Sequence, residues 1–162
     1  MYYRLVRRCQ EYAETFSSIS SDRKELLEKI AQSISTILKQ KENHALMYVC
    51  THNSRRSILA QAWSFAAANF YGLEEQLSHH SAGTESTYLH PNAIKALERT
   101  GFAVFPEAGK ANPDLSFSIG SQQALISKSK VLDDKMNPKE KQIKTNQFYS
   151  KINKSTSNGV LL

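Results

Sequence analysis

The sequence predicts an α/β fold in which a parallel sheet is flanked by helices and preceded by an N-terminal helical extension. Residues 45–50 form a short, nearly continuous apolar run, which is typical of a strand buried on both faces of a parallel sheet. A polar segment, 51–56, joins this run directly to a helical pattern over 57–71, which Gly72 closes. Helical periodicity dominates residues 1–42, before the apolar run.

The N-terminal extension is expected to hold two helices. Apolar residues recur at helical spacing between residues 2 and 16, and on that face Cys9 is most simply a small core residue. Asp22 and Glu25 have the spacing of a capping box and open the second helix. Its apolar stripe consists of Leu26, Leu27, Ile30, Ile34, Ile37 and Leu38.

A second strand and helix follow the first pair. Residues 77–84 form a strand candidate, and Pro91 occupies the first position of a helix that ends at Gly101. The further short strand candidates are 102–105, 115–119 and 124–127. We therefore predict an extension over 1–42, an α/β domain over 43–135 and a weakly ordered, polar and basic tail over 136–162.

Composition narrows the function classes. The chain has 162 residues and a net charge of +6, but much of the excess lies in residues 4–8 and 128–154, without the pattern of a nucleic-acid-reading module. No apolar run is long enough to cross a bilayer, and the N-terminus lacks a signal-peptide core, so we expect a cytoplasmic protein that binds neither membrane nor nucleic acid. Cys9 and Cys50, the only cysteines, make neither a disulfide scaffold nor a metal cluster, and no cofactor is expected.

The segment from Cys50 to Ser57 carries the candidate chemistry. A loop wrapped over a helix N-terminus directs backbone N–H groups into one concavity, where the helix dipole adds positive potential. A thiol facing that concavity is stabilised as the nucleophilic thiolate, and Arg56 can offer a planar fork to a tetrahedral oxyanion. The alternative is a strand-end cysteine in the core, with Arg55 and Arg56 simply solvated.

Residues 49–57 resemble the phosphate-binding loop of low-molecular-weight protein tyrosine phosphatases and the related thioredoxin-coupled arsenate reductases. The family pattern is Cys-x-Gly-Asn-x-x-Arg-Ser, which Cys50, Asn53, Arg56 and Ser57 match in order. The resemblance covers about residues 45 to 105, and 127–138 are further similar to a bacterial subgroup with longer chains. It implies a flavodoxin-like fold and an expectation that this chain is shorter at its C-terminus.

The resemblance also implies roles for the loop residues. Cys50 would form a phosphocysteine, Arg56 would hold the oxyanion, Asn53 would brace the loop and the Ser57 hydroxyl would stabilise the thiolate. The residues predicted to bind the oxyanion are Thr51, His52, Asn53, Ser54, Arg55 and Ser57.

Two residues of the loop depart from the family pattern. His52 stands where the family has Gly, so the loop either adopts adjusted backbone angles or holds this residue at negative φ. Arg55 replaces a cysteine that is found nearby in many relatives, and it either adds positive charge to the oxyanion site or points to solvent.

The general acid of the family is missing from its expected motif. The phosphatases use an Asp, usually in an Asp-Pro pair, and this chain contains no Asp-Pro. Asp133 and Asp134 are available as candidates for the acid, but they match the subgroup's interior motif and not its acid. Thiol-relay arsenate reduction needs two further cysteines, whereas only Cys9 remains.

We therefore expect a cysteine-dependent phosphatase acting on a phosphorylated protein or a small phosphomonoester. The alternative is a non-catalytic phosphate- or arsenate-binding, arsenate-reductase-like protein.

Overall fold

The computed structural model describes residues 1–39, residues 44–138 and the backbone of 142–143. The predicted tail, 136–162, thus lies largely outside the described residues. The helices are α1 (Tyr3–Glu14), α2 (Ser21–Leu38), α3 (Arg56–Tyr71) and α4 (Pro91–Thr100), and a 3₁₀ turn (Thr15–Ser18) follows α1. The strands are β1 (His44–Cys50), β2 (Leu77–Gly83), β3 (Ala103–Pro106), β4 (Leu115–Gly120), β5 (Gln123–Ser127) and β6 (Gln142–Ile143).

A parallel sheet with the strand order β2-β1-β6 carries the candidate site. The strand β1 is buried as its continuous apolar run predicts, and α3 connects β1 to β2 and packs on both strands. The register pairs His44 with Leu77 and Cys50 with Gly83, so both strands end at the same edge of the sheet. The loop after β1 therefore lies beside the residues that follow Gly83.

The second sheet is antiparallel, with the strand order β3-β4-β5. All three strands had been predicted from sequence, but their arrangement in a separate antiparallel sheet had not. The physical reason is that β4 and β5 are joined by only two residues, Ser121 and Gln122, and so short a connection cannot cross over to a parallel neighbour. After β5 the chain returns to the first sheet, where Val131 pairs with Gly83 in a parallel bridge.

The main hydrophobic core lies between α3, α4, α1 and the antiparallel sheet. Its largest fully buried members are Phe117, Leu5, Ile58, Leu97, Leu115 and Ile119. Leu5 anchors α1, and the Tyr2 hydroxyl lies 3.1 Å from the Ser118 hydroxyl. The α/β class, the helical flanks and the N-terminal helix agree with the prediction.

The helix α2 differs from α1 in its packing. None of its residues is buried, and its predicted apolar stripe is only half-buried. The predicted capping box is wrong, because Asp22 lies inside the first turn and Glu25 pairs with Lys29. The N-cap position is occupied by Ser20, whose side chain makes no capping hydrogen bond. Among the described residues, no helix is long and apolar enough to cross a membrane.

Candidate active site

The loop between β1 and α3 is short, and its shape depends on Asn53. Asn53 has a φ of +45°, and in the described parts of the chain it is the one residue other than glycine with positive φ. Asn tolerates this left-handed conformation better than most residues do. His52, at the family's glycine position, does not have positive φ, which answers the question left open by the sequence.

A glycine of the neighbouring strand allows the loop to lie close to the sheet. A Cβ atom built on Gly83 would come 2.5 Å from the Thr51 carbonyl oxygen and 2.8 Å from the Asn53 nitrogen. The Glu85 N–H donates to the Thr51 carbonyl over 2.8 Å, and the Thr84 N–H donates to the Cys50 carbonyl over 3.2 Å. The loop is thus fastened to the chain after β2, where any side chain at position 83 would displace it.

A buried hydrogen-bond chain ends on the Cys50 sulfur. The Asn53 Nδ2 donates to the Ser57 Oγ over 2.7 Å, and the Ser57 Oγ lies 3.1 Å from the Cys50 Sγ. Because the Ser57 oxygen accepts from Asn53, its own proton is available for the sulfur. Asn53 and Ser57 are almost fully buried, so solvent does not compete for these bonds.

These contacts favour the thiolate. Burial alone raises the pKa of the Cys50 thiol, but the Ser57 hydroxyl and the N–H groups of Ser57, Asn53 and Ser54 together lower that pKa below 9.0, its ordinary value. No side chain caps the N-terminus of α3, which leaves its first N–H groups free to face the sulfur. The environment is the one expected of a reactive cysteine.

A cavity of about 200 Å³ opens above the sulfur. It is lined by Cys50, His52, Ser54, Arg55, Arg56, Thr87, Tyr88 and His90. Arg55 and Arg56 are exposed, and neither guanidinium forms an ion pair with any described residue. Both cations are thus free to meet an anion. His52 lies 3.3 Å from Glu85 at the surface.

Three cavity residues were missed by the sequence analysis: Thr87, Tyr88 and His90. They belong to the connection between β2 and α4, which is tied to the loop by Ser54. The Ser54 hydroxyl donates to the Tyr88 carbonyl over 2.6 Å, and the Ser54 carbonyl accepts from the His90 N–H over 3.1 Å. The available sequence signal was His90 itself, an N-cap residue directly before Pro91.

The segment after β5 supports the loop between β1 and α3 through hydrogen bonds. The Lys130 N–H donates to the Asn53 Oδ1 over 2.9 Å, and the Lys130 carbonyl accepts from the Gly83 N–H over 2.8 Å. The Lys130 side chain is buried, and its burial lowers the pKa of the ammonium group to about 8. Nothing in the sequence identified this residue as a support of the loop.

The candidates for a general acid and for a second thiol lie elsewhere. Neither Asp133 nor Asp134 lines the cavity, and the Asp134 carboxylate accepts from the Met136 N–H in a turn. Cys9 lies on α1, where burial raises the pKa of its thiol, and it does not line the cavity. Within the described residues, no group of three His, Cys, Asp or Glu side chains is placed to hold a metal ion.

Comparison with known proteins gives two findings. Residues 45–114 match the family model described as low molecular weight phosphotyrosine protein phosphatase. The chain is also similar to an arsenate reductase from Bacillus subtilis (strain 168), with 38% identity over 63 residues. That match spans 39% of this chain and only 42% of the relative. No solved structure matches the chain.

Proposed function

We propose that the chain is a cysteine-dependent phosphatase, because residues 45–114 match the model of the low molecular weight phosphotyrosine protein phosphatase family. The similarity to an arsenate reductase is compatible with an oxyanion site of the same kind. It hydrolyses phosphomonoesters of the tyrosine-phosphate type through Cys50. Its substrate is a phosphorylated protein or a small phosphomonoester, and its place of action is the cytoplasm.

The observation that carries this proposal is the environment of the Cys50 sulfur. Three backbone N–H groups and the Ser57 hydroxyl converge on it, and two exposed guanidiniums stand at the opening above it. A tetrahedral dianion fits this arrangement, because it needs several donors and positive charge around an approaching nucleophile.

The proposed reaction has two steps. The Cys50 thiolate attacks phosphorus, forming an S–P bond as the P–O bond to the leaving group breaks. Arg56 and the loop N–H groups hold the equatorial oxygens while charge moves. Water then attacks the phosphocysteine, giving inorganic phosphate and returning the thiolate. No carboxylate lines the cavity among the described residues, so we expect leaving groups of low pKa, such as phenolates, to react fastest.

Hydrolysis of p-nitrophenyl phosphate tests the proposal. Its leaving group needs little acid assistance, so the assay depends on the nucleophile and the oxyanion site. We expect turnover by the full chain and none by Cys50→Ser. Turnover that survives in Cys50→Ser, or folded protein with no turnover, contradicts the proposal.

The second candidate function is oxyanion binding without turnover, in an arsenate-reductase-like protein. The observation that favours it is the absence of an acid among the cavity residues, together with the single remaining thiol on α1. Calorimetric titration with phosphate and arsenate distinguishes the two functions. Binding that is lost in Arg56→Ala, combined with no hydrolysis, supports the binding protein.

A further inference from the structure

Ser129 lies outside the segment that matches the family model, yet it contacts the loop between β1 and α3 directly. Its side chain is almost fully buried, at 1% exposure. The hydroxyl donates to the His52 carbonyl over 2.8 Å and accepts from the Thr87 N–H over 2.9 Å. Both hydrogen-bonding capacities of this one side chain are therefore used to join the loop to the cavity wall.

The main chain of Ser129 is held equally firmly. Its carbonyl accepts from the Asn112 Nδ2 over 2.7 Å and from the Ser86 hydroxyl over 3.0 Å. The position of the hydroxyl is thus fixed by contacts on two other segments. A side chain so placed can impose an orientation on the group that it binds.

The group that Ser129 binds is one half of a peptide unit. A trans peptide is planar, and its C=O and N–H point in opposite directions. The His52 carbonyl accepts from the Ser129 hydroxyl over 2.8 Å and from the Thr87 hydroxyl over a longer 3.4 Å, and the Asn53 N–H of the same peptide bonds to the Cys50 sulfur. Rotation of this peptide would move both groups together.

We propose that Ser129 is a positioning residue, which holds the His52–Asn53 peptide so that its N–H is directed at Cys50. By the same contact Ser129 aligns Thr87, and hence the cavity wall, with the loop. The inference rests on the proposed role of Cys50 as nucleophile and assigns Ser129 no contact with the substrate.

The experiment measures the thiolate directly rather than turnover. The full chain and its Ser129→Ala variant are alkylated with iodoacetamide across a range of pH, and Cys9→Ala is present in both to remove the second thiol. Without the Ser129 hydroxyl, the His52–Asn53 peptide should no longer direct the Asn53 N–H at the thiolate. Loss of this one hydrogen bond is expected to slow alkylation at pH 7 roughly five-fold and to move the midpoint of the profile to higher pH. The titratable or cationic side chains that line the cavity are His52, Arg55, Arg56, Tyr88 and His90. Lys130, with a pKa of about 8, lies next to Ser129 against the loop, and the substitution replaces none of these six residues.

Ser127→Ala is the matched control. Ser127 is equally buried and only two residues away, but its hydroxyl donates to the Gln61 Oε1 and not to the loop. A similar loss of stability is expected in both variants, with the alkylation profile unchanged in Ser127→Ala. An unchanged profile in Ser129→Ala, or an equal shift in both variants, overturns the inference.

Asn112→Ala provides a second variant in case Ser129→Ala does not fold. It removes the support of the Ser129 carbonyl without deleting a buried hydroxyl. A smaller shift in the same direction supports the inference, and no shift overturns it. Alkylation needs no turnover, so the two proposals can fail separately. If Ser129→Ala shifts the alkylation profile while the parent chain hydrolyses no phosphomonoester, the inference about Ser129 stands and the phosphatase proposal fails.

Discussion

The floor and the rim of the cavity are built on opposite principles. We define the floor as Cys50, Asn53, Ser57 and Gly83, and the rim as His52, Arg55, Arg56 and Tyr88. Floor residues are buried, and hydrogen bonds join Cys50, Asn53 and Ser57, whereas rim residues are exposed. The floor is therefore preorganised by folding, whereas the rim side chains stay solvated until a ligand binds.

Substitutions in the floor and in the rim should therefore have different consequences. A floor substitution breaks contacts that hold the fold as well as contacts that hold the thiolate, so stability and activity should fall together. A rim substitution removes a side chain that supports little else, so activity should fall alone.

Gly83→Ala is expected to have the largest combined effect, because it should lower stability and activity together. The added Cβ would lie 2.5 Å from the Thr51 oxygen and 2.6 Å from the Glu85 oxygen, and backbone atoms cannot rotate away. We expect a loss of about 2–3 kcal/mol of unfolding free energy, and roughly a 100-fold lower kcat/KM because the loop is displaced. Urea denaturation and p-nitrophenyl phosphate kinetics measure the two effects.

Gly72→Ala is the control for that substitution. Gly72 caps α3 at a φ of +71° with no atom within 4 Å of a built Cβ, so alanine there is strained but not crowded. About 1 kcal/mol of stability should be lost, with unchanged kinetics. If both glycine variants lose activity equally, the close approach at Gly83 is not what positions the loop.

Arg56→Ala tests the rim. Removal of one oxyanion-binding group is expected to lower kcat/KM roughly 10²–10³-fold, while the urea midpoint stays unchanged because the guanidinium has no ion pair with a described residue. Arg55→Ala is the neighbouring comparison and should reduce kcat/KM less, by charge alone. Equal losses would mean that the two arginines share the oxyanion.

Ser57→Ala tests the link between the floor and pH. The pKa of Cys50 is lowered in the folded protein from its ordinary value of 9.0. At pH values between the folded pKa and 9.0, the unfolded chain therefore binds more protons than the folded chain, and stability rises with pH. Loss of the Ser57 hydroxyl should raise the pKa of Cys50 in the folded protein, so that stability increases less with pH. Urea midpoints are compared at pH 6 to 9, with Cys50→Ser as the reference, because Lys130 has a pKa of about 8 and titrates in the same window. An unchanged slope contradicts the stabilisation of the thiolate by Ser57.

Glu85→Gln should have the smallest effect. Glu85 and His52 are 64% and 53% exposed, and their side chains approach to 3.3 Å. Surface pairs of this kind contribute at most about 1 kcal/mol, so denaturation should change by no more than that. The kinetics should stay within about two-fold of the parent, in contrast to the floor variants. A larger loss would place His52 among the residues that hold the oxyanion in a fixed position.

The loop itself was predictable because its signal is local. A buried strand, a polar connection and a helix start are each readable within a few residues, and Cys50, Asn53, Arg56 and Ser57 fall where that pattern places them. The supports of the loop were not predictable in this way. Thr87, Ser129 and Lys130 approach it only through tertiary packing, and periodicity carries no information on such contacts.

The fold shows the same limit. The strands of the second sheet were found, but strand direction depends on which edges pair, and this follows from the connection lengths and the core. Likewise, α1 and α2 both show helical periodicity, yet only α1 has a buried residue, Leu5. An apolar stripe predicts a helix and one face of it, but the degree of burial depends on what lies opposite.

The hydrogen bonds from 129–130 to the loop also have a consequence for the order of folding. They join residues 77 positions apart, so the loop cannot be completed until a long stretch of chain has closed. A nascent chain that has emerged only to β5 already carries Cys50 but lacks the bonds that orient the Asn53 side chain and the His52–Asn53 peptide. We expect such an intermediate to expose a thiol of ordinary reactivity, so that chemical reactivity is acquired late, after the chain has found its tertiary structure. Pulsed alkylation during refolding would record this as a cysteine whose rate rises only when residues 129–130 dock.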